Sequence, residues 1–294
     1  MENKKSRIGA WLEATRPKTL MASLSPVLVG TVLAYREGVF RPVAALLCLL
    51  VALLAQIASN FANDYFDFKK GADGEDRLGP ERAVASGWIT PKAMLKATFL
   101  TLALSCFAGC WLLLFAGWEL IPVGIAIALC VLAYSAGPYP LAYNGLGDVC
   151  VLLFYGVIPV CFTYYVQALS FSLLSLLLSL SVGFLSVNIL IVNNYRDYQQ
   201  DKAAGKKTTI VLFGRSFGRW FYLLNGLLSI AIVLPLVMFD AIWKVGLLGL
   251  FFVLFIHTWT EMKRFEGREL NKTLAHTSRN VFLFAVLLSL ILCC

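Results

Sequence analysis

The stretch Gln56–Arg82, QIASNFANDYFDFKKGADGEDRLGPER, decides how the rest of the chain is arranged. An apolar run precedes it, and polar side chains then recur every three or four residues, which places them on one face of a helix. They are Gln56, Asn60, Asn63, Asp64 and Asp67. Ionisable groups are costly in hydrocarbon, so a polar face on a helix in lipid must meet protein or water. We therefore predict that Asp64 and Asp67 point together into a cavity, and that Asp73 folds back towards them after a glycine turn.

A similar pattern returns further along the chain, in VNILIVNNYRDYQQDKAAGKKT at residues 187–208. Asn194, Asp197 and Asp201 are three and four residues apart and share a helical face. Carboxylates at this density repel one another unless a cation lies between them, and Mg²⁺ characteristically joins one or two carboxylates to substrate phosphates. Bases such as Lys206, which follows a glycine, would bind the same phosphate oxygens. The two clusters together predict one composite site for Mg²⁺ and a diphosphate substrate.

Composition places the chain among membrane proteins. Of its 294 residues, 59% are hydrophobic and only 14% are charged, which is far from the composition of a soluble domain. We predict a single membrane-embedded domain over residues 1–294, with cytoplasmic motif loops at about 63–91 and 197–217. The eight cysteines mostly fall in apolar runs without the spacing of a metal site, so we expect them to act as small packing residues.

The hydropathy pattern predicts an all-α fold of about nine membrane-spanning helices. They are expected at about 20–35, 41–62, 92–116, 121–136, 148–167, 171–195, 217–239, 242–259 and 281–294. The second and sixth spans end on the same side of the membrane, so both acid clusters meet there. Their equivalent places, four spans apart, indicate two pseudo-repeated halves, each carrying one motif.

The net charge of +8 raises the question of nucleic acid binding, but the positions of the bases exclude it. If alternate loops face the cytoplasm, all lysines and arginines except Arg36, Arg41 and Lys244 lie on the cytoplasmic side. This asymmetry is the positive-inside rule, so the charge reports topology. We predict an integral protein of a bacterial cytoplasmic membrane, with the N-terminus and the motif loops inside and the C-terminus outside. Its surroundings are the lipid bilayer, and nothing in the sequence gives an oligomeric state.

Five segments of the chain resemble the UbiA superfamily of intramembrane prenyltransferases, and within it the 1,4-dihydroxy-2-naphthoate polyprenyltransferases of menaquinone biosynthesis. They are RPKTL at 16–20, NDYFDFKKGAD at 63–73, RLGPERAV at 77–84, GLGD at 145–148 and NNYRDYQQDKAAGKKT at 193–208. The first acid motif is common to the superfamily. The second is more specific: superfamily members commonly begin it with aspartate, whereas this chain has Asn193 and Asn194 followed by Arg196 and Asp197, as the naphthoate enzymes do.

The resemblance implies a helical bundle around a central cavity, capped on the cytoplasmic side by the motif loops. It implies one Mg²⁺ held by Asn63, Asp64, Asp67 and Asp73. It implies a second Mg²⁺ held by Asn194, Asp197 and Asp201. The departing diphosphate would be neutralised by Lys206, Arg77, Arg82 and Lys18. Of the aspartates, it implies a catalytic role for Asp64, Asp67, Asp197 and Asp201.

The reaction that the resemblance implies is Mg²⁺-dependent transfer of a polyprenyl group from its diphosphate to 1,4-dihydroxy-2-naphthoate, with decarboxylation to demethylmenaquinone. Another aromatic acceptor, 4-hydroxybenzoate or homogentisate, is the alternative within the same family. A cation-coupled transporter is the alternative from another class, because paired carboxylates and an internal repeat also occur in carriers. For Tyr143 and Asp148, in the glycine- and proline-rich stretch 137–148, a turn role and a place at the cavity mouth both remain open.

Overall fold

Helices make up most of the described chain. The computed structural model describes residues 6–71, 77–238 and 240–294, without the side chain of Lys18. The helices are α1 Arg7–Ala14, α2 Pro17–Arg36, α3 Pro42–Lys69, α4 Pro91–Ala116, α5 Leu120–Ala133, α6 Gly147–Leu152, α7 Ile158–Ala168, α8 Leu173–Arg196, α9 Tyr198–Ala203, α10 Thr209–Met238, α11 Ile242–Arg264 and α12 Leu270–Cys293. The π turn Leu153–Val157 joins α6 to α7, and 3₁₀ turns lie at Leu141–Tyr143 and Gly267–Glu269. The predicted all-α class is confirmed.

Eight helical stretches in the described ranges are long and apolar enough to cross a membrane, with α6, the π turn and α7 counted as one. The ninth apolar helix, α5, has 14 residues. At about 1.5 Å per residue it rises only about 21 Å, less than the roughly 30 Å of a hydrocarbon core. The prediction of about nine spans therefore agrees with eight full spans and one short helix.

Proline and threonine fix where several spans begin. Pro17, Pro42 and Pro91 occupy the first turns of α2, α3 and α4, where a missing backbone N–H costs nothing because that group has no helical partner. The hydroxyl of Thr90 accepts a hydrogen bond from the backbone N–H of Ala93 at 3.3 Å and caps α4.

Two spans, α3 and α12, are longer than the sequence predicted. α3 continues to Lys69, so Asn63, Asp64 and Asp67 lie on the helix and the loop begins later than residue 63. In α10 the backbone at Gly214 is not helical, with φ of 88° and ψ of 165°, so residues 209–213 form a short helical segment before the span. α12 begins at Leu270 because its polar residues, including Thr273 and Asn280, are buried against other helices. Polar side chains that face protein do not interrupt a helix, although they interrupt an apolar pattern.

A close glycine contact sets the distance between α8 and the π turn. A β-carbon added at Gly156 would lie 2.5 Å from Cα of Gly183 and 2.7 Å from the carbonyl oxygen of Ser179. Small residues allow backbones to approach in this way in membrane bundles. The π turn ends just before Pro159, and both prolines and π turns are common causes of distortion in a helix.

Candidate active site

Two adjoining cavities lie inside the bundle. The larger has a volume of about 540 Å³ and is mostly apolar, and the smaller has a volume of about 90 Å³ and is mostly polar. Five residues line both of them, namely Asn63, Arg82, Tyr134, Leu190 and Asn193. The two cavities therefore meet at a boundary formed by α3, α5, α8 and the loop before α4.

Only some side chains of the first acid motif line these cavities. Asn63 and Asp67, four residues apart on α3, both line the polar cavity. Asp64 lines neither, because one residue turns the helix by about 100°. Its carboxylate instead accepts hydrogen bonds from the backbone N–H groups of Ala83 at 3.1 Å and Val84 at 3.2 Å. The expectation that Asp64 and Asp67 point together into a cavity is therefore wrong for Asp64.

Asp67 is held by groups from two loops. It accepts a hydrogen bond from the hydroxyl of Tyr143 at 2.9 Å, and Nη2 of Arg82 lies 3.8 Å from its carboxylate. The Tyr143 ring carries two cations, with Nζ of Lys70 at 4.3 Å and Nζ of Lys206 at 4.7 Å from the ring centre. Attraction between cations and the ring face stabilises this arrangement, so Tyr143 links the two motifs.

The second motif faces the same polar cavity. Asn194, Asp197 and Asp201 all line it, and Nζ of Lys206 lies 3.0 Å from the Asp201 carboxylate. Burial raises the pKa of Asp201 above its usual value. Burial alone would lower the pKa of Lys206, but the charges of Asp201, Asp67 and Asp197 outweigh it and raise that pKa. The acids of both motifs therefore act on one lysine.

Arg196 connects the second motif to the loop after the first. Its Nε and Nη2 donate to the two oxygens of Asp197 at 2.7 and 2.6 Å, and Nη2 also donates to Asn193 at 2.8 Å. Its Nη1 donates to Oδ1 of Asn271 at 2.7 Å, and Nδ2 of Asn271 donates to the carbonyl of Leu78 at 2.9 Å. Such a planar fork holds a carboxylate in a defined orientation.

The structure thus brings most of the predicted site residues together. Those that line the polar cavity are Asn63, Asp67, Arg77, Arg82, Asn194, Asp197, Asp201 and Lys206. Asp64 supports the loop beside them. Asp73 and the side chain of Lys18 lie outside the described residues.

The larger cavity contains polar residues of α3 that continue the motif face inward. Gln56 and Asn60 line it, and the hydroxyl of Tyr155, in the π turn, donates to the amide oxygen of Gln56. Arg16 also lines this cavity and lies 3.5 Å from the carbonyl of Asn60. Apart from Asp64, the polar residues of this stripe on α3 therefore face the two cavities.

Sequence analysis gave no role to Arg16 or Arg196. Arg16 has a left-handed backbone, with φ of 53°, and such strain in a non-glycine residue is concentrated at functional sites. The signal available in the sequence was its place in the quoted RPKTL segment. For Arg196 the signal was a lone base between Asn194 and Asp197, whereas its partner Asn271 is too distant in sequence to be inferred.

The donor atoms of the polar cavity fit Mg²⁺ better than a softer metal. They are carboxylate and amide oxygens, which are hard ligands. Within the described ranges, no three His, Cys, Asp or Glu side chains are placed to hold one metal ion. Mg²⁺ typically uses one or two carboxylates and completes its shell with phosphate oxygens and water, so this donor set suits an ion that arrives with a phosphate substrate.

Comparison with known proteins gives one consistent result. The sequence model of the UbiA prenyltransferase family matches residues 23–291. A 1,4-dihydroxy-2-naphthoate octaprenyltransferase of Escherichia coli K12 is 36% identical over 280 residues, covering 92% of this chain and 89% of the relative. The enzyme of the same name from Mycobacterium tuberculosis H37Rv is 38% identical over 231 residues, covering 78% and 77%.

Solved structures share the fold. A UbiA homologue of Archaeoglobus fulgidus, bound to GPP and Mg²⁺, superposes with a TM-score of 0.69 at 19% identity, covering 96% of this chain and 99% of the other. An apo UbiA homologue of Aeropyrum pernix K1 gives a TM-score of 0.70 at 15% identity, covering 91% and 96%. With a family match over nearly the whole length and relatives above 35% identity, this chain belongs to the UbiA prenyltransferase family and is a membrane-embedded prenyltransferase.

Proposed function

We propose that this enzyme transfers a polyprenyl group from polyprenyl diphosphate to 1,4-dihydroxy-2-naphthoate, with loss of the ring carboxylate as CO₂, to give demethylmenaquinol, the reduced form of demethylmenaquinone. The observation that carries the proposal is the junction of a basic, acid-lined polar cavity with an apolar cavity of about 540 Å³. A diphosphate head fits the first and a prenyl chain fits the second. The bond that must break then lies at their boundary.

The relatives support the choice of substrates. Both bacterial enzymes named above carry 1,4-dihydroxy-2-naphthoate as the acceptor in their names, and the Archaeoglobus homologue binds GPP with Mg²⁺. Each is a separate protein, so we extend these substrates to this chain as part of the proposal. Its support within the chain is the matching donor chemistry of the polar cavity.

Residue roles follow from the contacts. We assign Mg²⁺ coordination to Asn63, Asp67, Asn194, Asp197 and Asp201, all of which line the polar cavity. When bound, Mg²⁺ supplies positive charge that stabilises the departing diphosphate. We assign diphosphate binding to the three bases of the same cavity, which are Arg77, Arg82 and Lys206.

Three other residues that the sequence predicted for the site receive no such role from the contacts. Asp64 positions the loop that carries Arg82, through the backbone at Ala83 and Val84, and we no longer assign it to the metal. Asp73 and Lys18 stay predictions, the first for the metal and the second for the diphosphate.

The apolar cavity protects the reaction. An allylic cation is captured by water, so a cavity walled by aliphatic and aromatic side chains favours attack by the acceptor ring. Tyr134 and Tyr155 line the wall nearest the boundary, and the faces of aromatic rings attract cations. These side chains hold the cation beside the acceptor without offering it a strong nucleophile.

The proposal places the enzyme in the bacterial cytoplasmic membrane as a single domain over residues 1–294. The motif ends of α3 and α8, and the N-terminus, face the cytoplasm, where the basic residues concentrate. The motif ends of α3 and α8 line one polar cavity, so we count the short α5 as a ninth crossing, which leaves the C-terminus outside. In this orientation the polar cavity receives the naphthoate and the diphosphate head from the cytoplasmic side. The prenyl chain attached to that head stays in the membrane.

An acceptor comparison tests the proposal. Membranes containing the enzyme are given radiolabelled prenyl diphosphate with 1,4-dihydroxy-2-naphthoate, 4-hydroxybenzoate or homogentisate, each with Mg²⁺ and with EDTA. We expect Mg²⁺-dependent transfer to the naphthoate in preference to the other two. Transfer mainly to 4-hydroxybenzoate or homogentisate would retain the family and refute the acceptor.

A further inference from the structure

Asp148 is a buried acid that the roles above leave unused. It stands in the first turn of α6, has 8% of its surface exposed, and lines the polar cavity. Thr209 donates a hydrogen bond to its Oδ2 at 2.7 Å. Its own backbone amide lies close to the carboxylate, but Oδ1 is buried and accepts no hydrogen bond from the side chains that the structure describes.

A purely structural role explains only one of the two carboxylate oxygens of Asp148, the Oδ2 that accepts from Thr209. An asparagine would accept the Thr209 hydrogen bond equally well, without the cost of burying a charge. A buried acceptor left without a donor is unfavourable. Oδ1 therefore points to a donor that enters with a substrate.

The position of Asp148 separates it from the proposed metal ligands. Its hydrogen bonds are with Thr209 and its own backbone, whereas Asp67 and Asp197 act on Asp201 and Lys206. Hence the described contacts leave Asp148 outside the group of acids that shares Lys206.

Asp148 instead adjoins the boundary between the cavities. A β-carbon added to its neighbour Gly147 would lie 3.1 Å from Leu190 and 3.6 Å from the hydroxyl of Tyr134, and these two residues line both cavities. The titratable groups beside it are Tyr134, which follows α5, and Cys150 on its own helix. The other charged or titratable groups that line the same polar cavity are Asp67, Arg77, Arg82, Tyr143, Asp197, Asp201 and Lys206.

We propose that Asp148 accepts the proton of the acceptor hydroxyl that is adjacent to the ring carboxylate, as the new carbon–carbon bond forms, and returns it after CO₂ has left. This inference rests on the proposed function, since it requires 1,4-dihydroxy-2-naphthoate as acceptor. By removing the hydroxyl proton, Asp148 makes the acceptor ring a stronger nucleophile at the boundary between the cavities.

The step balances without any further reactant. The C1 hydroxyl loses its proton to Asp148, the ring carbon C2 forms a bond to the prenyl C1, and the prenyl C–O bond breaks with its electron pair leaving on diphosphate. C1 of the naphthoate is then a ketone carbon, and its neighbour C2 carries both the prenyl group and the carboxylate. Such a β-keto carboxylate loses CO₂, the electron pair moves to the C1 oxygen, and Asp148 returns the proton to it.

The direct test compares Asp148→Asn with the wild-type enzyme in nanodiscs. The substitution keeps an acceptor for Thr209 and removes the base. We expect kcat for the naphthoate to fall at least about 100-fold, the range for loss of a positioned acid–base group. The dissociation constant for a non-reactive prenyl thiodiphosphate with Mg²⁺ should stay within about twofold. A kcat near that of the wild type, or loss of thiodiphosphate binding, would overturn the inference.

The pH dependence separates a base from a structural residue. In Asp148→Asn, kcat should rise about tenfold per pH unit below the pKa of the acceptor hydroxyl, because solution ionisation replaces the missing base. Thr209→Val removes the hydrogen bond but keeps the carboxylate, and should reduce kcat only modestly, without that slope. Equal losses in both variants, with no slope in either, would identify Asp148 as structural and refute the inference.

Two acceptor analogues test the inference with the wild-type enzyme alone. The wild-type enzyme should prenylate 1-hydroxy-4-methoxy-2-naphthoate but not 4-hydroxy-1-methoxy-2-naphthoate, whose C1 oxygen has no proton. Equal turnover of both analogues refutes the inference. If the wild-type enzyme fails with 1,4-dihydroxy-2-naphthoate itself, the proposed function fails first; if it succeeds and Asp148→Asn is fully active, only this inference fails.

Discussion

Asp64 and Asp67 lie three residues apart, yet their carboxylates have different partners. Asp67 meets a tyrosine hydroxyl and an arginine beside the polar cavity. Asp64 binds two consecutive backbone N–H groups in the loop before α4. An acid-rich motif therefore contains both a group that lines the polar cavity and a group that holds the neighbouring loop.

Replacing Asp67 by asparagine tests the first role. The change removes a negative charge from the polar cavity and keeps the side-chain shape, so we expect at least about a 100-fold loss of kcat/KM, similar to the loss of an electrostatic contact in other active sites. Thermal unfolding in nanodiscs should change little. Full activity in this variant would remove Asp67 from the site.

Asp64→Asn is predicted to act on stability. The new amide turns an NH₂ group towards one of the two backbone N–H donors at Ala83 and Val84, leaving a buried donor unsatisfied, at a cost of about 2 kcal/mol. The midpoint of thermal unfolding should fall relative to the wild type and to Asp67→Asn. An unchanged midpoint with activity abolished would restore Asp64 to the metal site.

Spacing within a helix predicted the cavity-facing residues because helical geometry is local. Asn194, Asp197 and Asp201 line one cavity as expected, although they lie on α8, between the two helices and on α9, and not on one helical face. The partners of Asp64 lie 19 and 20 residues away, in a loop whose path no periodicity determines. The Asn271 contact with Leu78 spans 193 residues, and only packing of the whole bundle creates it.

At the scale of elements, α12 supports the site through Asn271. Its amide joins Arg196, at the end of α8, to the carbonyl of Leu78 in the loop that carries Arg77 and Arg82. A close approach makes this possible: a β-carbon at Gly79 would lie 2.7 Å from Nη2 of Arg196.

Asn271→Ala should therefore loosen the diphosphate side of the site. We expect KM for prenyl diphosphate to rise about tenfold, which corresponds to about 1.4 kcal/mol, with a smaller change in kcat. Asn280→Ala on the same helix is the matched control, since it removes hydrogen bonds to Thr258 and Arg279, neither of which lines the polar cavity. It should lower stability by about 1 kcal/mol and leave KM unchanged; an equal rise in KM for both would argue against the link.

The contact between α8 and the π turn gives a separate stability prediction. Gly156→Ala would force a β-carbon against the backbone of Gly183, and overpacking of this kind costs about 1–3 kcal/mol. Gly249→Ala on α11 is the control, because a β-carbon there has no neighbour within 4 Å. Lower thermal stability in the first variant alone is expected, and equal midpoints would contradict the close packing.

The spans were easier to predict than their ends. Apolar runs identify lipid-facing helices, as in α4 and α11, where the expected and observed starts agree within a residue. Where a helix buries polar side chains, as α12 does with Thr273 and Asn280, hydropathy places its start too late. Residues 209–213 of the predicted loop are helical, but the non-helical backbone of Gly214 separates them from the span.

At the scale of the whole molecule, the distribution of charge predicts the orientation in the membrane. Basic residues gather at the side of the bundle where the motifs of α3 and α8 lie. The exceptions, Arg36 at the end of α2, Arg41 before α3 and Lys244 at the start of α11, lie at the other side. Alkaline phosphatase fused after Cys294 should be active outside the cell, and the same reporter in the loop before α4 should be inactive. The reverse pattern would invert the proposed topology.

The most direct test of the proposed reaction uses two labels in one assay. Prenyl diphosphate carries tritium at C1, and 1,4-dihydroxy-2-naphthoate carries ¹⁴C in its carboxylate. The account predicts Mg²⁺-dependent tritium in the prenylated naphthoquinol, with ¹⁴CO₂ released in equal amount. Tritium transferred while ¹⁴C stays on the ring, or no transfer to the naphthoate at all, would contradict it.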